Sequence, residues 1–517
     1  MLTPTLEGFL QLAQKGNTIP VYRELLADLE TPVTAFRKLT QAGDYAFLLE
    51  SVEGGETVGR YTFIGCDPAA VLRVRGTEQE VLFSHRPLAV ETTPIGTMRS
   101  LLSVYRPVAN PDLPPFTGGV VGFMSYDTVR YYERIPDRQR DELGLPDCLL
   151  MLAETVVAFD HLKHRMLLIT NAHIDSQSSA EEAYTQAALR LDSLKQRLRR
   201  PLPIVGAEPE PTAPAPAHEA EIPSGYHRVP DVFDALALQV SSNYTREEFE
   251  EVVRRSKDYI TAGDIFQVVL SQRFTAPITC DPFDIYRALR AVNPSPYMFF
   301  LQCGTDFQLA GSSPEILSKL ASDGTVTVRP IAGTRRRGKT HEEDRALEQD
   351  LLADEKERAE HVMLVDLGRN DVGRVSQFAS VRVTDFMTIE RYSHVMHIVS
   401  NVDGQIADGK DALDVLGATF PAGTLTGAPK IRAMEIIDEL ERCRRGAYGG
   451  TIVYLGFDGA MDSCITIRTA VIKDGRTHVQ AGAGIVADSK AADEFMETVN
   501  KSMGILRAVD LAERGLD

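Results

Sequence analysis

Gly450-Thr-Ile-Val-Tyr-Leu-Gly456, Cys464-Ile-Thr-Ile-Arg-Thr-Ala-Val-Ile472 and His478-Val-Gln-Ala-Gly-Ala-Gly-Ile-Val486 are strand-like runs in succession, with no helical stretch between them. Short apolar runs bounded by glycine and polar turn residues read as buried strands. Upstream the grouping recurs: Phe266–Phe274, Phe299–Leu301, Phe307–Ala310 and Thr325–Val328 are interrupted only by a helical stretch at Asp284–Val292. Strands that come in groups rather than alternating strictly with helices predict an α+β fold with large antiparallel sheets.

Further strands are expected at Tyr45–Val52, Arg60–Gly65, Ala70–Arg75, Leu149–Phe159, Met166–Thr170 and Val395–Val402. Helices are expected at Tyr22–Leu29, at Thr34–Thr40 with Thr34 as N-cap, over residues 180–199, and over Pro429–Glu441. Another runs to Ala262 from Thr245, which has capping-box spacing to Glu248. Residues 201–224, rich in Pro, Ala and Glu, read as a linker between an N-terminal part, 1–200, and a C-terminal part, 225–517.

At 517 residues the chain can bury a large core in two or more lobes. Its net charge of −18 argues against broad binding to nucleic acid or anionic membrane. Arg335-Arg336-Arg337, flanked by Gly333 and Gly338, reads as a loop feature. No apolar run is long enough to span a bilayer, and the N-terminal residues lack the basic and apolar blocks of a signal peptide. Six scattered cysteines without Cys-x-x-Cys fit reduced thiols in a cytoplasmic protein.

The stretch Asp354–Asp371 starts highly charged and turns apolar from Val362. As a helix it places Glu357, Glu360, Leu364 and Leu367 on one stripe. A solvated first turn at the positive end of the helix dipole would explain the acids. A second Glu-x-x-Glu, Glu494–Glu497, offers another explanation. If the two helices meet, their oxygens suit a hard cation such as Mg²⁺. Gly423–Lys430 lacks Walker spacing but runs from a glycine-rich loop into a helix, a start suited to an anion. Gly482–Ala487 matches Gly-x-Gly-x-x-Ala, yet too little chain follows it for a dinucleotide-binding unit. It reads better as a close backbone approach to a small carboxylated ligand. His394 and His397 fall on opposite faces of a strand, so they are not a natural metal pair.

Taken together, Ser312-Ser-Pro-Glu-Ile-Leu317, Arg329-Pro-Ile-Ala-Gly-Thr-Arg-Arg-Arg-Gly338, the Glu357–Asp371 helix and His394-Val-Met-His-Ile-Val-Ser400 resemble the chorismate-utilising enzymes. Phe420-Pro-Ala-Gly-Thr-Leu-Thr-Gly-Ala-Pro-Lys430, Tyr448-Gly-Gly450, Ile467-Arg-Thr-Ala470, Ala481-Gly-Ala-Gly-Ile-Val486 and Glu497-Thr-Val-Asn-Lys501 continue the resemblance. In the N-terminal part it is carried by Leu48-Leu-Glu-Ser51 and Gly59-Arg-Tyr-Thr-Phe-Ile-Gly65. The fold it implies is a sandwich of large antiparallel sheets with helices outside.

Two positions bear on the reaction. Relatives that aminate C4 of chorismate carry a nucleophilic Lys where this chain has Ala332. Isochorismate and salicylate synthases carry a water-activating Lys where it has Gln267. Both absences imply amination at C2: chorismate and ammonia to anthranilate and pyruvate, the first step of tryptophan biosynthesis. By the same resemblance Glu360 and Glu497 are ligands of Mg²⁺, with Glu357 and Glu494 acting through metal-bound water. His397 is the acid/base residue for the C2 proton, and Glu315, close to Thr424, is the acid for the departing hydroxyl. Gly333, Thr334, Tyr448, Arg468, Gly482, Ala483, Gly484 and Lys501 bind substrate. No glutaminase motif is present, so ammonia is expected from a separate glutamine amidotransferase subunit, in a heterotetramer of two large and two small subunits. Ser51, Pro296, Tyr297 and Met298 correspond to a feedback site for L-tryptophan, a residue the chain itself lacks. The rival readings are component I of the C4-aminating enzyme and a non-catalytic regulator that binds chorismate or tryptophan.

Overall fold

The structure, a computed structural model, describes residues 2–51, 59–84, 88–176, 178–202, 222–229, 232–391 and 395–516. Residues 203–221, most of the predicted linker, lie outside the described residues, as does His394.

Among the described residues, two large sheets of antiparallel strands form the body, one of 13 strands and one of 11. The first runs from Thr18–Leu26 at one edge, through Tyr45–Glu50 and Tyr297–Cys303 at its middle, to Arg476–Ile485 and Gln267–Pro277. The second carries Ile331–Arg336, Val395–Gln405, Met461–Ile465, Thr451–Gly456, Gly119–Met124 and Cys148–Ala153. Segments from both sides of the linker share both sheets. Phe299 pairs with Leu49 in the first, and Val453 with Gly122 in the second.

Between the sheets lies an apolar layer that includes Phe47, Phe123, Leu149, Ile169, Leu301 and Ile452. Helices cover the outer faces. Ala180–Leu198, Arg246–Thr261, Pro282–Val292 and Ala491–Glu513 pack on the first sheet, while Pro94–Ser103, Glu355–Gly373 and Ala412–Thr419 pack on the second. This is the α+β sandwich with helices outside. Each sheet is covered on both faces, so its central strands read as continuous apolar runs rather than alternating ones.

That double burial hides where the chain changes sheets. The run expected as one strand over Leu149–Phe159 is two, Cys148–Ala153 in the second sheet and Thr155–Asp160 in the first. Between them Glu154 accepts from Tyr105 and Arg190. Cys464–Ile472 likewise divides into Met461–Ile465 and Thr469–Lys473. A third crossing, Pro314-Glu315, joins Phe307–Ser313 to Ile316–Leu320. The helix expected at Tyr22–Leu29 is instead the strand Thr18–Leu26, because pairing with Arg165–His173 overrides local propensity. The following helix is Pro32–Leu39 and its N-cap is Thr31; Thr34 is the third residue of that capping box. Helix His341–Ala353 was not anticipated: it buries only Asp344 and Leu351, too little to print an apolar stripe. No helix among the described residues is long and apolar enough to cross a membrane.

Candidate active site

The acidic helix forms as Glu355–Gly373, with Asp354 as N-cap accepting from the backbone of Lys356 and Glu357. Its first turns face one side of a cavity of about 520 Å³. Helix Ala491–Glu513 faces it too, so Glu357, Glu360, Glu494, Glu497 and Lys501 line one space. The sheet crossings supply Glu315 and Arg468, and the short helix Gly423–Thr426 supplies Thr424. Gly333, Thr334 and His397 come from the paired strands Ile331–Arg336 and Val395–Gln405. The pairing register shifts between Ala332 and Thr334, where Gly333 has φ +71°, a conformation that favours glycine. Arg468 also has positive φ, +48°, rare for a non-glycine residue.

Every predicted catalytic, substrate and metal residue lines this cavity except Ala483. Ala483 is fully buried, and strand alternation turns its Cβ away from the face of Gly482 and Gly484. A Cβ at Gly482 would lie 2.5 Å from Tyr448 Oη, and one at Gly484 2.8 Å from Gln267 Nε2. Gly482 is sterically required, because a Cβ there would also lie 2.9 Å from the backbone oxygen of Leu270, whereas at Gly484 it would have to displace the Gln267 side chain. Strand Thr469–Lys473 pairs with Arg476–Ile485 only as far as Val479, so the glycine stretch has a ladder on the Gln267–Pro277 side alone. Lys356 and Gln480 also line the cavity and were missed. Gln480 was recoverable, because it lies two residues from Gly482 and so shares its face.

A buried pair supports the floor. Arg445 donates to Glu441 through Nε and Nη2, at 2.9 and 2.7 Å, and its other bonds reach Leu425 O and Val269 O. Its guanidinium lies over the rings of Tyr126 and Tyr448, which fixes Tyr448 in the wall.

The titrating groups are tuned by enclosure. Burial pushes the Glu315 carboxyl up to about 7, against the lowering effects of Thr424, which donates to it at 2.9 Å, and of Arg468 and Lys501. Its exposed part opens onto the cavity wall rather than the outer surface. Glu315 is thus an acid that still holds a proton near neutrality. Burial lowers His397, aided by Arg468 and opposed by a hydrogen bond with Gly333 O. His397 Nδ1 is 2.9 Å from Gly333 O and 3.0 Å from Thr334 Oγ1. The carbonyl can only accept, so the proton sits on Nδ1 and Nε2 is the basic nitrogen.

Burial and then repulsion from Glu360 raise Glu357. Burial raises Glu494 as well, with Ser489 opposing and Glu497 adding to the rise. Glu494 Oε2 is buried with no hydrogen-bond partner among the described residues. Gln267 donates to Glu360 at 3.1 Å, and Lys501 pairs with Glu497 at 2.6 Å and Gly482 O at 3.0 Å. No group of three His, Cys, Asp or Glu side chains among the described residues forms a ready cation cage. What is present is a set of hard oxygen donors from two helices, two of them raised and one carboxylate oxygen orphaned. That set fits Mg²⁺, which usually keeps waters and shares its coordination with substrate.

A second cavity, of about 230 Å³, gathers Ser51, Pro296, Tyr297 and Met298. It lies where Met298 pairs with Glu50. Ser51 Oγ is buried there with no partner among the described residues, and Tyr297 Oη lies 3.2 Å from Asp462. Burial pushes Asp462 up to about 6, against Lys319.

The profile described as chorismate binding enzyme matches residues 44–507, from the first sheet's middle strand to the C-terminal helix. The chain belongs to the chorismate-binding enzyme family. It is similar along its length to anthranilate synthase component 1 from Acetivibrio thermocellus, 46% identical over 515 residues and 99% of each chain. The corresponding protein of Pseudomonas putida is 49% identical, over 98% of this chain and 99% of that one. Among solved structures, anthranilate synthase component I from Streptococcus pneumoniae superposes with a TM-score of 0.72 at 37% identity, over 93% of this chain and 99% of that one. The menaquinone-specific isochorismate synthase of Escherichia coli shares the fold, with a TM-score of 0.66 at 18% identity, over 98% of this chain and 99% of that one.

Proposed function

We propose that the chain is the chorismate-binding component of an anthranilate synthase, converting chorismate and ammonia to anthranilate, pyruvate and water. The observation that carries this reading is the pair Ala332 and Gln267, both in the cavity wall. Relatives that aminate C4 or add water carry a lysine at one of these positions, so by that resemblance the two replacements favour ammonia as the nucleophile at C2.

Chorismate is a dianion. Arg468 and Lys501 supply positive charge to it, and an Arg fork suits a carboxylate. Glu360 and Glu497, with Glu357 and Glu494 behind them, would hold Mg²⁺, which neutralises and orients a substrate carboxylate when bound. Ammonia attacks C2 with its lone pair while the C4 hydroxyl leaves. Glu315 gives that hydroxyl its proton, so water departs, and the nitrogen gives up one proton to solvent, from which Glu315 is reprotonated. His397 Nε2 then takes the C2 proton, the electrons aromatise the ring, and the bond to the enolpyruvyl oxygen breaks to release enolpyruvate, which takes a proton back from His397 and becomes pyruvate. Its neutral form is available at neutral pH because burial lowers its affinity for protons.

Ammonia is delivered by a separate glutamine amidotransferase subunit, in a cytoplasmic assembly of two large and two small subunits. The second cavity is the feedback site for L-tryptophan. Its size and the unpartnered Ser51 hydroxyl support that assignment.

The test is incubation of the pure chain with chorismate, Mg²⁺ and ammonium at alkaline pH. Blue-fluorescent anthranilate with equimolar pyruvate is expected, and glutamine alone gives nothing. A 4-amino product without pyruvate would establish the C4-aminating reading instead. No turnover would favour the non-catalytic regulator.

A further inference from the structure

We propose that the proton Glu315 gives up is restored through a small cavity behind it, with Asp371 as the relay. The inference rests on the proposed reaction, in which Glu315 loses a proton in every turnover. Glu315 and Thr424 line two spaces, the substrate cavity and another of about 40 Å³. Helix Glu355–Gly373 runs past both: Glu360 lines the first, Leu364 lines both, and Asp371 lines the small one. Asp371 lies two turns beyond Leu364, about 10 Å along the axis.

A buried water needs about 10–15 Å³ of such space and two to four polar partners. The small cavity offers both, since Glu315, Arg329, Asp371, Thr419 and Thr424 are in its lining. Thr424 donates to Glu315 Oε1 at 2.9 Å and so holds the carboxyl where the two spaces adjoin. Asp371 accepts from Lys430 Nζ at 2.7 Å, and Lys430 is only half-buried. Burial raises the Asp371 carboxyl, against Lys430 and Arg374, which makes it a better proton acceptor than an ordinary surface aspartate.

Once the C4 hydroxyl has left as water, Glu315 is a carboxylate and the aminated intermediate still occupies the substrate cavity. A proton carrier entering from that side competes with the intermediate for space. From the small cavity, a water donates one proton to Glu315 and takes one from Asp371, and Asp371 takes its replacement from solvent. Glu315 is then reloaded while His397 acts on the C2 proton, with no need for the intermediate to move.

Gly368 also lines the small cavity, and a Cβ there would lie 3.4 Å from Pro330 and 3.6 Å from Val328, in ordinary contact. Gly368→Val therefore fills the space without removing a polar group. Asp371→Asn keeps the shape and removes the relay. Anthranilate formation by the full-length chain is followed near neutral pH with Mg²⁺ and ammonium, first with enzyme in excess over chorismate, then with chorismate in excess. Enzyme that starts with Glu315 protonated needs no reloading, so its single turnover should keep the wild-type rate in both variants. Repeated turnover should slow at least about tenfold, short of the about 10²–10⁴-fold that a general acid contributes, and should slow more in D₂O than wild type does. A purely structural disturbance slows the first and later turnovers alike. Wild-type steady-state rates in both variants would overturn the proposal, and so would a single turnover slowed as much as the steady state. Thermal melts establish which variants are folded, and Gly368→Ala, a smaller filling that favours the helix, replaces one that is not. A wild-type chain that makes no anthranilate from ammonium, or a Glu315→Gln enzyme with wild-type kcat, refutes the proposed reaction instead.

Discussion

Replacing Glu315 by Gln separates proton donation from shape. The amide fills the same place beside Thr424 but has no acidic proton. A positioned general acid contributes about 10²–10⁴-fold to rate, so kcat should fall at least about a hundredfold, with KM for chorismate within a few-fold. Stability gives an independent check. Burial raises the Glu315 carboxyl from 4.5 to about 7. A carboxyl raised on folding binds its proton more tightly in the native state. The stability this brings is complete below the unfolded value and is lost as pH rises through about 7. At one pKa unit per 1.36 kcal/mol, ionised Glu315 disfavours the fold by at most about 3 kcal/mol above pH ~8, less where water enters the open cavity. Gln has no such penalty. Thermal melts from pH 5 to 9 should show the variant gaining on wild type as pH rises, while wild-type turnover per free NH₃ declines above about pH 7. A melting difference that stays flat across that range, or a variant with more than a tenth of wild-type kcat, would refute the assignment of Glu315 as a buried acid.

Glu497→Gln should weaken Mg²⁺ binding at least about tenfold by calorimetry and abolish turnover at low Mg²⁺; unchanged turnover removes the metal assignment. Ser51→Ala should weaken inhibition by L-tryptophan about tenfold without changing uninhibited kcat, and a wild type indifferent to tryptophan ends the feedback reading. Arg445→Leu removes the ionic partner of the buried Glu441 and leaves it only the Ser271 N–H and hydroxyl as donors, so unfolding stability should drop by about 3–5 kcal/mol, measured by denaturant titration. A smaller loss would mean that the backbone around Val269 and Leu425 relaxes to let water reach Glu441.

Much of the site was legible because its chemistry is local in sequence. Glu357 and Glu360 are one helical turn apart, as are Glu494 and Glu497, and their apolar neighbours fix which face they share. The glycines at 482 and 484 stood out because a strand rarely carries two. Strand runs such as Gly450–Gly456 and Cys464–Ile472 stood out because they are short, mostly apolar and bounded by turn residues. Unbroken burial hid the sheet crossings at Glu154 and Arg468, since a strand buried on both faces carries no period to interrupt. The misread helix at Tyr22–Leu29 and the overlooked helix His341–Ala353 have a related cause. In the first, pairing with Arg165–His173 outweighed local propensity; in the second, an exposed helix had no apolar stripe to show.

The sequence by itself determined the residue types, the spacing of each carboxylate pair, the α+β class and the absence of lysine at 267 and 332. Only the tertiary structure decided that two helices more than 100 residues apart aim their acids into one cavity. It alone set Glu315 on a sheet crossing, where enclosure keeps it protonated, and laid the Gln267 amide against Glu360. Composition and spacing fix what a side chain is able to do. Desolvation and the orientation of a hydrogen bond depend on what surrounds it, and here those surroundings come from distant parts of the chain.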